Sequence, residues 1–428
     1  MAPTDSVSIF AEGTFEEQIV EFAEYISRSL PEQDRAAYIE AAQQRVASQE
    51  SQPPLSGDTD RKQEVLTWVL SEMKGLGEGT DREIEGFFNL LFAHLLTLWP
   101  ISSDNTKQHV SALLNTVTSS SGDNTTKYRI LSNLFNALPR SSRLRLTVYN
   151  CLLSLANSQD DLGVLQLSHG DVEKWLSEWD VSASEKSEFL QLLISAHANA
   201  DQPVDAYLYK LAYVRSLDSK SAEARTAALD AIATALTNPT IFDFDPLFKL
   251  DAVVAAKDDP LFSLLRIFLS GGLPELEAWH GSNSGALEKH NLSYDQLERK
   301  MRLLALAALA FQNVGADIPY ATIASTIRVD QSAVESWAID IIRAGLLVGK
   351  LSQSSQTLRV LRASARVFGR PQWTLLEQRL LTARMSLSHV LEVIASARRR
   401  NEHVVSALQT QAAAESEKVA AVQGEVAA

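Results

Sequence analysis

Eight histidines, one cysteine and two neighbouring pairs of aspartates are the residues of this 428-residue chain best suited to chemistry, and their spacing argues against it. His94, His109, His169, His197, His280, His290, His389 and His403 are scattered. None forms the H-x-H or H-E-x-x-H spacing that aims two imidazoles at one metal. No G-x-x-x-x-G-K-S/T loop occurs, and no G-x-G-x-x-G follows a strand pattern, so no phosphate or dinucleotide cradle is expected. Gly281-Ser-Asn-Ser-Gly285 has the outline of a nucleophile elbow, but Asn283 stands at its centre and no α/β pattern surrounds it, so it reads as a loop. Asp243-Phe-Asp245 and Asp258-Asp259 sit beside Pro246 and Pro260, where helix capping explains them better than acid–base work. Cys151, alone, excludes an internal disulfide and a cysteine-based zinc cluster. The expectation is no enzyme: no catalytic residue, no metal, no cofactor and no small-molecule substrate.

Composition points the same way. An apolar fraction of 45% with 21% charged residues is that of an ordinary soluble protein, and 13 prolines and 18 glycines leave long stretches free for helix. The start, Met1-Ala-Pro-Thr-Asp-Ser6, lacks the basic and apolar regions of a signal peptide. The most apolar run, residues 87–99, is broken by Asn89 and His94 and is too short to span a bilayer. A soluble protein of a reducing compartment, with no membrane partner, is expected. The net charge of −14 disfavours nucleic acid as a partner of the whole surface, yet residues 328–400 carry twelve Arg or Lys against five Asp or Glu. That local surplus suits RNA or an acidic partner, or a solvated helix face.

The elements that would position such groups are nearly all helical. Thr14-x-x-Glu17 and Thr80-x-x-Glu83 are capping boxes, each opening an amphipathic run. Residues 51–60, Ser-Gln-Pro-Pro-Leu-Ser-Gly-Asp-Thr-Asp, have the composition of a flexible linker. From residue 61 to about 300 the pattern is helix, short break, helix, in pairs of about 35–45 residues, which suggests a solenoid without a recoverable repeat consensus. Trp175 and Trp179, one turn apart, are expected in its core.

Near residue 303 the pattern changes. An apolar helix (303–311) is followed by Ile318-Pro-Tyr320 and a short helix with Ile323 and Ile327. A capping box, Ser332-x-x-Glu335, then opens a helix with Val334, Trp337, Ala338, Ile341 and Ile342 on one face, stopped at Gly345. Leu346-Leu-Val-Gly-Lys-Leu351 and Thr357-Leu-Arg-Val-Leu361 flank a loop, Ser352-Gln-Ser-Ser-Gln356, and read as a hairpin, with no strand before Leu346. Three helices and a ribbon are the order of a winged helix. Its second face shows Gln331, Glu335, Ser336, Asp340 and Arg343, too acidic for reading a DNA groove. Lys350, Arg359 and Arg362 on the ribbon remain candidate weak RNA or phosphate contacts. A long helix follows, with Pro371 in its first turn. Its stripe of Leu376, Leu380, Ala383, Leu387, Val390, Leu391 and Ile394 is long for one domain to cover. Trp337 and Trp373 are expected in a core between the winged helix and this helix.

A helical arm, a winged helix and a long last helix together resemble the PCI-domain family, whose members build the proteasome lid, the signalosome and translation initiation factor complexes. The residues that carry the resemblance are Arg129-Ile-Leu-Ser-Asn-Leu-Phe-Asn136, Thr147-Val-Tyr149, Lys174-Trp-Leu-Ser-Glu-Trp179, Lys300-Met-Arg-Leu-Leu304, Val334-Glu-Ser-Trp-Ala-Ile-Asp340 and Phe368-Gly-Arg-Pro-Gln-Trp373. The last string is closer to the initiation-factor branch than to the signalosome. The resemblance implies a mainly α chain: a right-handed helical-repeat solenoid (TPR- or HEAT-like) leading into a winged helix with a small β-hairpin, then a long C-terminal helix. The expected divisions are 1–60, an N-terminal helical segment and linker; 61–300, the solenoid; 301–370, the winged helix, within a PCI domain of about 205–375; 371–400, a bundle helix; and 401–428, a disordered tail. The resemblance further implies a cytoplasmic scaffold without catalytic residues. Its partners would be other PCI- and MPN-domain subunits and the small ribosomal subunit, directly or indirectly. Candidate subunit-interface residues are Leu346, Val348, Leu358 and Val360 on the ribbon, and Leu376, Leu380, Leu387, Val390, Leu391 and Ile394 on the last helix.

Overall fold

The computed structural model describes residues 13–47, 57–367 and 369–426. Short polar side chains start eight of the first eleven helices. Thr14 accepts a hydrogen bond from the Glu17 N–H while Glu17 Oε2 accepts from the Thr14 N–H at 2.7 Å, and this box opens α1 (Phe15–Ser27). The chain continues through α2 (Glu32–Val46) and α3 (Thr59–Glu72), the latter capped by Asp58. The Thr80–Glu83 box opens α4 (Asp81–Leu98). Ser103, Asp123, Ser168, Ser182 and Ser221 cap α5 (Asp104–Ser119), α6 (Asn124–Ala137), α8 (His169–Glu178), α9 (Ala183–Asn199) and α11 (Ala222–Thr237). Between them lie α7 (Leu144–Ser158) and α10 (Pro203–Ser216), whose proline occupies the first turn, where a missing N–H costs nothing. Six further helices follow: α12 (Asp245–Phe248), α13 (Asp251–Ala255), α14 (Pro260–Ser270), α15 (Leu273–Ser282), α16 (Ser284–Lys289) and α17 (Tyr294–Gln312).

Two compact units result. One comprises the chain up to Ile241, with Pro246–Leu265 and His280–Leu297; the other comprises Phe242–Asp245, Arg266–Trp279 and the chain from Glu298 on. The last boundary falls at Leu297/Glu298, but the division is not a single cut, since Phe242–Asp245 and Arg266–Trp279 belong to the second unit. In the first unit α4 packs on α6, α5 and α6 on α7, α7 on α9, and α9 on α10, the neighbour-to-neighbour pattern of stacked repeats. Residues 15–46 are part of that stack rather than a separate segment, since Ile19, Phe22 and Val46 share one core with Leu66 and Phe87. Trp175 and Trp179 stack with centroids 5.8 Å apart beside Phe135, as expected of core residues. Of the expected linker, residues 51–56 lie outside the described residues, and its last part has already entered α3.

The second unit contains a winged helix: α17, β1 (Asp317–Pro319), α18 (Tyr320–Ile327), a 3-10 turn (Gln331–Ala333), α19 (Val334–Arg343), β2 (Leu347–Ser352) and β3 (Thr357–Ala363). The sheet has three strands in the order β1-β3-β2, with Ile318 opposite Leu358 and Lys350 opposite Arg359. The expected two-stranded ribbon thus gains a strand. β1 is only three residues long and ends in proline, so it carries no alternation and is defined by its partner. The Ser332–Glu335 box does not form, because residues 331–333 coil as a 3-10 turn and Ala333 becomes the helix cap without a side-chain bond. The stop at Gly345 does form: at φ +73 it gives its N–H to the Ile342 carbonyl while the Leu346 N–H reaches Ile341.

The last helix, α20 (Arg370–Val426), runs for 57 residues. It absorbs the expected bundle helix and most of the expected disordered tail. No proline or glycine occurs from Gln372 to Gln423, and Ala, Gln and Glu, which dominate the end, are strong helix formers. Among the described residues no helix is long and apolar enough to cross a membrane.

Candidate subunit interface

Chemistry first: several of the candidate reactive residues have structural partners. Asp243 Oδ1 accepts from the Asp245 N–H at 3.0 Å and Asp259 Oδ1 from the Leu261 N–H at 2.9 Å, so both aspartate pairs serve as local caps. His94 Nε2 pairs with Gln18 Oε1 at 2.8 Å, His197 Nδ1 with Gln202 Oε1, and His280 stacks on Tyr294. Burial pushes the Cys151 thiol up to about 11, which keeps it unreactive. Gly281–Gly285 is the junction of α15 and α16. Among the described residues no three His, Cys, Asp or Glu side chains gather where a metal ion would sit.

What the second unit offers is surface. In the winged helix, Leu358 and Val360 are fully buried with Leu306, Ile318, Ile323, Val334 and Ile341. They present nothing to a partner, so they leave the set of interface candidates. Alternation along β3 sends them inward and Arg359 and Leu361 outward. Leu346 is half-buried against the same core, whereas Val348 is exposed on β2. Among the described residues β2 pairs only with β3, so its outer edge is open there. A bulge between Val348 and Gly349 bends this edge, and Gly349 is required there because a Cβ would lie 2.6 Å from the Arg359 carbonyl oxygen. Lys350 and Arg359 face each other across the ribbon, and neither they nor Arg362 has a carboxylate partner among the described residues. On α19, Asp340 is taken up by Arg299 at 2.7 Å.

Trp337 is half-buried against the winged-helix core, under the guanidinium groups of Arg299 and Arg302 at 6.0 and 5.7 Å. Trp373 is not in a core; it is 61% exposed. It belongs to α20, whose root is tightly held. Arg366 Nε and Nη1 donate to the carbonyls of Phe268 and Gly271, both at 2.7 Å, and Nη2 to that of Ile267 at 3.2 Å. Gln372 accepts from the Gly369 N–H at 3.0 Å, and Arg379 lies over the Phe311 ring at 5.6 Å. Phe368 lies outside the described residues. Beyond Arg379, the hydroxyls of Thr382, Ser386 and Ser396 return to the helix's own carbonyls.

Along that free length Leu380, Leu387 and Leu391 are 61, 65 and 65% exposed, and Leu376, Val390 and Ile394 are exposed beside them. At about 100° per residue all six fall on one face. Trp373, Val405 and Leu408 fall on the same face and are exposed too, so the stripe is longer than its sequence reading. Leu381 and Met385, also exposed, point roughly to the other side.

Comparison with known proteins agrees with this anatomy. A family model described as PCI domain matches residues 280–362, and one described as eIF3 subunit M, C-terminal helix, matches residues 366–394. Three relatives, each named eukaryotic translation initiation factor 3 subunit M, match along nearly the whole chain. That from Aspergillus terreus is 35% identical, covering 93% of this chain and 89% of its own length. That from Aspergillus oryzae is 33% identical over 93% and 88%, and that from Phaeosphaeria nodorum 31% over 93% and 90%. The second match covers the root of α20 and the first half of its exposed stripe, which favours the initiation-factor branch over the signalosome. The chain belongs to the family of eukaryotic translation initiation factor 3 subunit M.

Proposed function

We propose that the protein is a non-catalytic scaffold subunit that works in the cytoplasm within the initiation factor 3 assembly. It joins neighbouring PCI- and MPN-domain subunits through α20 and the open edge of β2, and so supports recruitment of mRNA and initiator tRNA to the small ribosomal subunit. The observation that carries this reading is the apolar stripe of α20. A row of leucines more than 60% exposed is unfavourable in water and is suited to a helix bundle between chains. The double substitution Leu387→Asp/Leu391→Asp tests it. The variant should keep the thermal unfolding of the parent chain and no longer co-purify with the other subunits; undiminished co-purification would overturn the proposal.

A second reading, RNA contact at the wing, is favoured by one observation. Like charges directly opposite on a ribbon are unfavourable unless an anion shares them, and Lys350 faces Arg359 with Arg362 nearby. Filter binding of an RNA oligonucleotide at two salt concentrations tests it. Loss of affinity and of salt dependence in Lys350→Glu/Arg359→Glu is the expected result.

A further inference from the structure

The first unit contains a groove of about 630 Å3, formed by the end of α1, the middle of α2, the turn from α3 to α4 and the turn from α5 to α6. Ile26, Leu30 and Met73 give it apolar walls. Glu72, Glu78, Asp81 and Asp123 make it acidic, with Lys74 as the one opposing cation among its described lining residues. None of these five side chains is in an ion pair among the described residues. Two of its lining residues, Tyr38 and Thr126, carry buried hydroxyls without a hydrogen-bond partner among the described residues. Burial, and next the Glu72 carboxylate, push the Tyr38 phenol up to about 12, so it stays a neutral group with unused hydrogen-bonding capacity.

The groove is built rather than loose. The Tyr25 hydroxyl donates to the Leu76 carbonyl at 2.7 Å, tying the α3–α4 turn to α1. Gly77, at φ +82, lies against the Tyr25 ring, where a Cβ would come within 2.5 Å of Cε1. Lys127 Nζ holds the Ser120 carbonyl at 2.5 Å and steadies the opposite wall.

We propose that this groove binds an extended, arginine- or lysine-bearing segment of a partner protein. Such a side chain is amphipathic: its stem lies on Ile26, Leu30 and Met73 while its head meets the carboxylates. A bare metal ion fits less well, because no three carboxylates converge on one point among the described residues. Arginine fits best, since its five donors match several separated acceptors. The occupant comes from another chain. Residues 1–12 and 48–56 of this one contain no Lys or Arg.

The test is fluorescence polarisation of the full chain with a labelled peptide, Gly-Arg-Gly-Arg-Gly-Arg-Gly, at physiological ionic strength. Its partner probe has every arginine replaced by citrulline, which keeps the shape and removes the charge. The arginine peptide should bind, and Glu72→Gln/Asp81→Asn should weaken it by about tenfold or more. Ser121→Trp, which narrows the groove without changing charge, should weaken it as well. Asp258→Asn/Glu288→Gln, which removes two exposed carboxylates elsewhere, should not. Thermal melts confirm that each variant is folded. Equal loss in both charge-removal variants would mean general attraction to a chain of net charge −14 and would overturn the proposal. So would equal binding of the citrulline peptide, or no binding of either.

Discussion

Arg366 Nε donates to the carbonyl oxygen of Phe268 at 2.7 Å, joining the segment that leads into α20 to the last turn of α14. Arg366 also donates to the carbonyl of Gly271, just past the end of α14, and is a second donor to that of Ile267, which already accepts the Gly271 N–H at 2.8 Å. Burial pulls the guanidinium down to about 10, so it remains charged at neutral pH and complements the negative end of the helix. Arg366→Met should cost about 3 kcal/mol, because the Phe268 and Gly271 carbonyls lose a charged donor together. Arg366→Lys should recover only part, having no planar fork. Chemical denaturation of the full chain measures both.

The wing pair gives a prediction with two signs. Lys350→Glu turns the repulsion with Arg359 into a cross-strand ion pair, and should stabilise the chain by about 0.5 kcal/mol. If RNA meets this face, the same change weakens RNA retention. A stabilised variant with unchanged retention would remove the wing from consideration as an RNA contact.

Lys300 predicts a pH dependence. It is 3% exposed and lies over the rings of Phe242 and Phe244 at 5.6 and 5.1 Å. Burial pulls its ammonium group from 10.5 down to about 7. Between those values the unfolded chain holds more protons than the folded one, so stability rises with pH, by up to about 1.4 kcal/mol per unit. Below about pH 7 both states are protonated and the full cost of the buried charge is present. Urea midpoints at about pH 7 and about pH 9 should differ in the parent chain, and Lys300→Met should flatten the difference.

Gly77→Ala should destabilise the first unit by about 2 kcal/mol or more, combining a left-handed backbone with a collision against the Tyr25 ring. Gly163→Ala, where a Cβ meets nothing, should change the melting temperature little.

Which of these features a reader of the sequence could find depends on how local their cause is. The Thr14 and Thr80 boxes and the Gly345 stop are closed by atoms three to five residues apart, and they are legible. The Ser332 box has the same letters and fails because the chain there prefers a tighter 3-10 turn. β1 escapes notice because three residues ending in proline owe their strand form to β3. On the ribbon, alternation shows that Leu358 and Val360 share a face but not that this face is the core, since a shift of one residue exchanges the two sides. The α20 stripe is legible as far as Ile394; beyond it the Arg398-Arg-Arg400 run masks the return of Val405 and Leu408 to the same side. The acidic groove has no linear signature, because its lining spans residues 25–126.

At 1.5 Å per residue, the 57 residues of α20 reach about 85 Å, far beyond the domain that anchors them. The isolated chain therefore carries a greasy rod that no other described residue covers along Leu380–Leu391. Exposed apolar surface of this kind is prone to aggregation and proteolysis in the absence of a covering helix.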